Sequence, residues 1–163
     1  MGQANYWLFN MDYKNNNGDI VWEYCKNNNC FAMQYQDGKQ VKSSITKNLN
    51  LAREVRVGDY CVAYTGNKTI VGIGKVIREF YEDDDINKRI SEDAPNFERL
   101  GVKWNIKLEK ELIIETFTKR LGILNKGTLS CSICKISKEG YEYAKFMCEK
   151  IVALNSKIRY KKR

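Results

Sequence analysis

The stretch Val57–Phe80 constrains the fold more than any other part of this sequence, because it predicts a β-hairpin. Two apolar runs, Tyr60–Tyr64 and Thr69–Ile77, are separated by Thr-Gly-Asn-Lys, in which Gly and Asn allow the backbone to reverse with positive φ. Both runs are apolar on both faces, which predicts a hairpin inside a covered or closed sheet. Gly72 and Gly74 predict curvature of that sheet or the close approach of another group.

Shorter signals place the other elements around this hairpin. Apolar runs predict further strands at Asn5–Met11, Cys30–Tyr35, Val102–Leu108 and Gly127–Ile136, with a continuation of the sheet at Glu111–Phe117. Helical spacing and capping residues predict helices from Asp19, within Ser43–Glu54 and after Ser137. Several short strands with a few helices indicate an α+β domain built on a curled or closed sheet.

The run Val102–Leu108 alternates strictly between apolar and polar residues. The alternation predicts Trp104 in the core, with Lys103 and Lys107 together on the outer face. Outward lysines are candidate contacts for a phosphate backbone, and a solvated face is the alternative. Trp22, on the first helix, is also expected in the core.

The basic character of the chain is concentrated at one end. The net charge is +8, but five of the last seven residues are Lys or Arg, and without them 23 basic residues face 20 acidic ones. Any nucleic-acid surface must therefore come from local patches. The length indicates one domain, which we place at residues 1–155, followed by a basic tail at 156–163 that would suit a linker to a following domain.

No apolar run approaches the ~20 residues that span a bilayer, and no signal peptide is recognisable. We therefore expect a cytoplasmic protein with no membrane partner.

Six cysteines and no histidine limit the chemistry. The absence of histidine excludes a Ser-His-Asp or Cys-His mechanism. A zinc site formed by Cys25, Cys30, Cys131 and Cys134 is one alternative, but strand alternation sends Cys131 and Cys134 to opposite faces, which favours buried free thiols. An enzyme that holds a metal with Asp83, Asp84 and Asp85 is another, although such a run is usually a solvated surface.

The order of these motifs resembles that of EVE domains in the PUA-like superfamily. The resemblance lies in Tyr6–Phe9, in Arg56–Tyr60 with Ile70–Val76, in Gly127–Ser130 and in Ser137–Tyr141. The Trp-Asp segment that EVE domains carry before the Val-Gly-Asp turn is missing. Instead Trp22–Cys25 and Phe31–Met33 resemble the EVE-like and YTH-like domains at the N-termini of McrB-type restriction GTPases.

The resemblance implies a PUA-like curled β-barrel of about five to six strands, flanked by a few helices, that reads a modified base. Its members take a flipped nucleotide into an aromatic pocket and are not enzymes. We accordingly expect a domain that targets modified DNA for a restriction system, without a cofactor or a metal, working with or fused to an NTPase or nuclease. A reader of RNA or tRNA modification and, more distantly, a zinc-stabilised interaction domain are the alternatives.

The resemblance also implies which positions form the site. The expected pocket residues are Asn10, Phe31, Met33, Tyr64, Thr65, Tyr81 and Phe97. The expected backbone contacts are Lys68, Lys103 and Lys107. No tryptophan falls at the cage positions, so the sequence does not identify the modified base.

Overall fold

In the computed structural model, the described residues are 2–11, 18–33, 42–65, 69–83, 85–90, 98–109, 114–115, 120–122 and 132–161. Within them lie seven strands and three α-helices. The strands are β1 (Tyr6–Asn10), β2 (Cys30–Met33), β3 (Tyr60–Tyr64), β4 (Thr69–Glu82), β5 (Glu98–Lys107), β6 (Ile114–Glu115) and β7 (Ile133–Ile136). The helices are α1 (Gly18–Asn28), α2 (Lys42–Glu54) and α3 (Lys138–Lys161), with a 3-10 turn at Ile86–Lys88.

The strands form one mixed sheet in the order β2-β5-β4-β3-β1-β7, and β6 pairs with β4. β1 and β3 are parallel, and every other pair is antiparallel. A parallel pair needs a long crossover, and here α1, β2 and α2 supply it. The sheet is curled and not closed, since its path ends at β2 and at β7. The predicted α+β class, with a curled sheet flanked by a few helices, is confirmed.

The predicted central hairpin is present as β3 and β4, although β4 continues to Glu82. Its glycines stand where other groups come close. A Cβ on Gly72 would lie 2.5 Å from Trp22 Cη2, and one on Gly74 would lie 2.6 Å from Val102 Cγ1. Of the two predicted roles, close approach is therefore the one that the contacts explain directly.

The sheet separates two hydrophobic cores. The first core lies on the side of α1 and α2 and includes Trp7, Phe9, Trp22, Phe31, Val102 and Trp104. The second core lies on the side of α3 and includes Leu8, Val62, Ile73, Leu108, Tyr141, Ala144 and Cys148. Burial on both faces of β1 and β3 explains why these strands read as continuous apolar runs.

One strand changes face between the two cores. Trp104 pairs with Gly74, but Ile106 pairs with Ile73, so Asn105 is an extra residue in β5. Val102 and Trp104 consequently belong to the first core, whereas Ile106 and Leu108 pack in the second. The prediction of one uninterrupted face was wrong, because an inserted residue reverses the alternation beyond it.

Both tryptophans expected in the core are buried there. Trp22 Nε1 donates to the Leu108 carbonyl at 3.1 Å, and Trp104 Nε1 donates to the Cys30 carbonyl at 3.2 Å. The two rings meet edge to face, with centroids 5.0 Å apart. Each indole thus satisfies its single donor while filling the first core.

The buried carboxylate of Asp59 ties the start of β1 to the turn before β3. It accepts hydrogen bonds from Asn5 N at 3.0 Å, from Trp7 Nε1 at 2.9 Å and from Arg56 N at 2.9 Å. A buried carboxylate requires such partners. The Val-Gly-Asp sequence therefore serves the fold rather than a ligand.

The C-terminal helix begins where the sequence predicts it. Ser137 Oγ accepts from Gly140 N at 3.0 Å, as an N-cap does. α3 then runs for 24 residues, so residues 156–161 of the expected basic tail are helical. Of the strand expected at Gly127–Ile136, the described part is β7, which begins at Ile133.

Candidate functional site

Three of the expected pocket residues meet at the ends of β1 and β3. Asn10 and Tyr64 are the last residues of these parallel strands and are register partners. Met11 N donates to the Tyr64 carbonyl at 2.7 Å, and Thr65 N donates to the Thr69 carbonyl at 3.1 Å. The ladder thus holds Asn10, Tyr64 and Thr65 side by side.

Three more expected pocket residues lie on β2 and β4, which both flank β5. Met33 pairs with Glu98, which also pairs with Glu82, the residue after Tyr81. Phe31 lies two residues before Met33 on β2. Met33 and Tyr81 therefore stand at the same end of this three-stranded part of the sheet.

A ring stack joins the two groups across the first core. The centroids of Phe9 and Phe31 are 4.4 Å apart and their planes differ by 12°. Phe9 directly precedes Asn10, and Met11 and Met33 belong to the same core. The curl of the sheet thus brings the end of β1 against β2, although 20 residues separate Met11 from Phe31 in the chain. Thr65 lies beside the first residue of β4, whereas Tyr81 is the penultimate residue of that 14-residue strand, so the two groups stand at opposite ends of β4. We call Met33 and Tyr81 the strand-end rim.

Exposure divides the expected pocket residues. Phe31 and Met33 are fully buried, and Asn10 and Tyr64 nearly so. Thr65 and Tyr81 are partly exposed. In this conformation Tyr81 is the accessible member of the strand-end rim, and Thr65 is the accessible residue at the ends of β1 and β3. Phe97 and Lys68 lie outside the described residues.

Tyr81 presents an uncharged ring that already stacks against a cation. The Arg78 guanidinium carbon lies 3.6 Å from its ring centroid, the distance of a face-to-face contact. Burial raises the pKa of the Tyr81 hydroxyl, and Cys30 adds to the rise, while Arg99 opposes it. The hydroxyl is therefore protonated at neutral pH and available as a hydrogen-bond donor.

Arg99 organises the neighbourhood of Tyr81 and was not predicted from the sequence. Its guanidinium is buried, and it donates to Tyr24 Oη at 2.9 Å and to the Lys88 carbonyl at 2.5 Å. Burial acts most strongly and lowers the pKa of Arg99, but the hydrogen bond to Tyr24 and the charges of Tyr24, Cys30 and Tyr81 together outweigh it, so the pKa is raised. A charged residue at the start of a strand was the only available signal, because all of its partners are distant in the sequence.

The two described lysines of the expected backbone contact lie on opposite faces. Both are exposed, but the bulge at Asn105 puts Lys103 on the α3 side and Lys107 on the other. The prediction that they share one face was therefore wrong. Lys103 instead stands opposite Lys75 across β4 and β5. Neither Lys75 nor Lys103 has an ion-pair partner among the described residues. Because like charges at facing positions repel, these two lysines form a local positive site.

A separate cleft of about 590 Å³ lies along α1. Trp22, Ile20 and Ile90 contribute apolar lining, and Asp19, Glu23 and Glu109 contribute carboxylates. The one lysine in the lining, Lys26, is held by Glu23 at 2.7 Å and by Glu109 at 3.1 Å. The excess of carboxylates makes this cleft unsuitable for a phosphate backbone.

The groups behind the zinc and enzyme alternatives have other partners in the part of the chain that the structure describes. Cys25, Cys30, Cys61 and Cys148 are buried free thiols, and Cys134 is buried as well. Asp83 binds Lys88, and Asp85 accepts from Asn87 N at the start of the 3-10 turn. No cluster with the composition of a metal site occurs among the described residues, and none of their helices is long and apolar enough to cross a membrane.

Comparison with known proteins identifies relatives of this fold. The model of the family described as EVE domain matches residues 5–145, and no curated protein matches the chain. A hypothetical protein from Leishmania major is 21% identical, with a TM-score of 0.50, over 91% of this chain and 96% of that one.

Two further structures are complexes with nucleic acid. Human THYN1 in complex with DNA containing 5-methylcytosine is 16% identical, with a TM-score of 0.52, over 88% of this chain and 98% of that one. The Mmi1 YTH domain in complex with RNA is 8% identical, with a TM-score of 0.54, over 94% of this chain and 82% of that one. At these identities the likeness shows the fold alone.

Proposed function

The chain belongs to the EVE domain family, and on that premise we propose that it is a non-enzymatic module that binds nucleic acid and reads a modified base. Structures of the same fold contain 5-methylcytosine DNA in one case and RNA in another. The proposal extends that kind of ligand to this chain, with the strand-end rim as the place where the base is read.

The observation that carries the proposal is the partly exposed ring of Tyr81 at the strand-end rim. Met33 and Tyr81 lie at the same end of the three strands β2, β5 and β4. The Arg78 guanidinium already stacks on the Tyr81 ring. An aromatic ring, a thioether and a cation in one region are groups that can orient a planar ligand.

The chemistry of these side chains suits a flipped base. A base that leaves its stack loses its neighbours, and an aromatic wall restores roughly 1–3 kcal/mol. Burying a methyl group adds about 0.8 kcal/mol, which is enough for a several-fold preference for the modified form. Tyr81 supplies a neutral ring and a hydroxyl donor. Asn10, Tyr64 and Thr65, at the other end of β4, remain proposed contacts for the rest of the bound strand. We keep Phe97, which directly precedes β5, as a further proposed wall.

Phosphate contacts are proposed at the lysine pair on the outer face. Lys75 and Lys103 stand opposite each other without a carboxylate partner among the described residues, so a phosphate would relieve their repulsion. Lys107 could contact only a nucleic-acid strand that binds the opposite face of the sheet. Lys68, from the sequence between β3 and β4, remains a proposed contact. Loss of one such lysine should weaken all sequences alike and reduce the salt slope by about 1.

The test is binding at fixed physiological salt to matched oligonucleotides. These carry no modification, N6-methyladenine or 5-methylcytosine, as single-stranded DNA, double-stranded DNA and RNA. Selective tightening for one modified form is expected. If the modified and plain oligonucleotides of every pair bind equally, the domain does not read either of these two modifications.

A matched pair of tyrosine variants locates the reader. Tyr81→Ala should reduce the preference for the modified form at least about fivefold, because an aromatic ring that stacks on the base is lost. Tyr160→Ala is the control, because Tyr160 is 83% exposed at the distal end of α3. A preference that survives Tyr81→Ala in a folded protein contradicts the placement at the rim.

We further propose that the domain targets modified DNA for a restriction system, alongside or fused to an NTPase or nuclease. The support is the sequence resemblance of Trp22–Cys25 and Phe31–Met33 to domains of McrB-type GTPases. This finer role requires a preference for modified DNA over the same modification in RNA. The reverse preference would favour the alternative, a reader of RNA or tRNA modification.

A further inference from the structure

The distal half of α3 leaves the sheet with an apolar seam uncovered. Ala144 is buried in the second core, and Met147 and Ile151 pack partly against it. The same seam continues to Leu154 and Ile158, which are 57% and 52% exposed. We call Ile151, Leu154 and Ile158 the distal seam. Two large aliphatic side chains on one exposed line are a usual mark of an interaction site.

The spacing of the seam is that of a helix that pairs with another helix. Ala144, Met147, Ile151, Leu154 and Ile158 alternate in steps of three and four residues, so they occupy the a and d positions of consecutive heptads. The first members pack against the second core, whereas Leu154 and Ile158 are each more than half exposed. An apolar line with this period fits the apolar line of a second amphipathic helix.

The charges beside the seam are all of one sign. Lys150 and Lys157 directly precede Ile151 and Ile158, at the heptad positions that select partners. Arg159 and Lys161 follow, and no acidic residue occurs in α3 after Glu149. Cations beside an apolar line call for acceptor groups on the partner.

We propose that the distal seam docks an acidic amphipathic helix of another protein, whose apolar side covers Leu154 and Ile158 and whose carboxylates face Lys150 and Lys157. A second copy of this chain would cover the seam but would bring lysines toward lysines. A nucleic acid would neutralise the lysines but would leave the aliphatic side chains without an apolar surface. An acidic helix satisfies both requirements.

The experiment measures binding of the full chain to three synthetic helical peptides of equal length. One carries Leu at a and d with Glu at e and g, the second keeps Leu but has Lys at e and g, and the third keeps Glu but has Ala at a and d. The first is expected to bind at least about tenfold more tightly than either of the others, a factor that corresponds to 1.4 kcal/mol.

Variants of the chain place the contact. Leu154→Ala with Ile158→Ala should weaken the acidic leucine peptide at least about tenfold, as loss of central apolar anchors does. Lys150→Gln with Lys157→Gln should weaken it and reduce its salt dependence. Ile20→Ala, at a residue of α1 that is 54% exposed, is the control and should change nothing. Circular dichroism checks that each variant is folded.

Each alternative occupant has its own signature. Equal binding of the leucine and alanine acidic peptides would reduce the contact to charge alone and overturn the proposal. Sedimentation as a dimer that Leu154→Glu converts to a monomer would assign the seam to a second copy instead. The distal seam would be assigned to nucleic acid if plain duplex DNA or RNA displaces the peptide and the Leu154/Ile158 variant no longer binds that nucleic acid. Absence of binding to all three peptides would also overturn it. None of these outcomes depends on base reading at the rim.

Discussion

The two cores on either side of the sheet differ in what their side chains can tolerate. The first core is built from rings in defined contacts, with Phe9 stacked on Phe31 and Trp22 edge-on to Trp104. The second core is mostly aliphatic, with the rings of Tyr6, Tyr60 and Tyr141 in mutual contact, and α3 packs against it through Tyr141, Ala144 and Cys148. The first joins distant segments of the curled sheet, whereas the second holds one helix onto an outer face. A change in the first core should therefore disturb the whole sheet, and a change in the second should loosen α3.

Phe31→Ala is expected to have the largest effect. The ring is fully buried and stacked on Phe9, so its removal leaves a cavity and should lower the free energy of unfolding by about 3–5 kcal/mol. Urea denaturation measures the change. Phe146→Ala, at a ring that is 54% exposed on α3, should stay within about 0.5 kcal/mol. Similar losses in the two variants would show that the packing of Phe31 in the first core does not set the cost.

Asp59→Ala comes next, because it removes the acceptor that holds Trp7 of the first core. Leaving the buried Trp7 Nε1 and two main-chain donors unsatisfied should cost about 3 kcal/mol in unfolding free energy. Thermal unfolding reports the loss. Glu79→Ala removes an exposed carboxylate from β4 and serves as the comparison. A variant as stable as the wild type would show that the three hydrogen bonds contribute little.

Gly72→Ala tests the close approach inside the first core. The new methyl carbon would meet Trp22 Cη2 at 2.5 Å and the Ile106 carbonyl at 3.0 Å, so overpacking should cost about 1–3 kcal/mol. Chemical denaturation, with tryptophan fluorescence as the probe, measures both the loss and any movement of the indole. Gly2→Ala is the matched change, since nothing lies within 4 Å of its added carbon. If both substitutions change the free energy of unfolding equally little, Trp22 can move aside for the new methyl group without strain.

Ser137→Ala should give the smallest effect, confined to the helix over the second core. It removes the N-cap hydrogen bond to Gly140 N and should cost about 1 kcal/mol. Hydrogen exchange should show faster opening of the first turns of α3 with little change in β1 and β3. Ser156→Ala, which removes an exposed hydroxyl that donates to the Val152 carbonyl, should leave those turns unchanged. Faster exchange across the whole sheet would show that α3 supports both cores.

The resemblance named positions for the candidate site but not their grouping or their accessibility. It named Asn10, Met33, Tyr64 and Tyr81, and the structure places Asn10 and Tyr64 in one group and Met33 and Tyr81 in another. The resemblance could not indicate that Phe31 is fully buried against Phe9, because Phe9 belongs to a different strand, far away in the sequence. Arg99 was missed for the same reason, since Tyr24 and Lys88 are 75 and 11 residues away.

The sequence by itself determined the features that depend on neighbours along the chain. These are the central hairpin, the helix that begins after Ser137 and the burial of both core tryptophans. Local propensity and periodicity encode such features, because they act over one or two turns or a few strand residues.

Only the tertiary structure decided which face each residue occupies and which distant group it meets. One extra residue at Asn105 moves Ile106 into the second core and separates Lys103 from Lys107. Asp59 finds Trp7 across 52 residues of sequence. The physical reason is that strand register and bulges are set by packing between strands, and the alternation within one strand carries no information about where its partner inserts a residue.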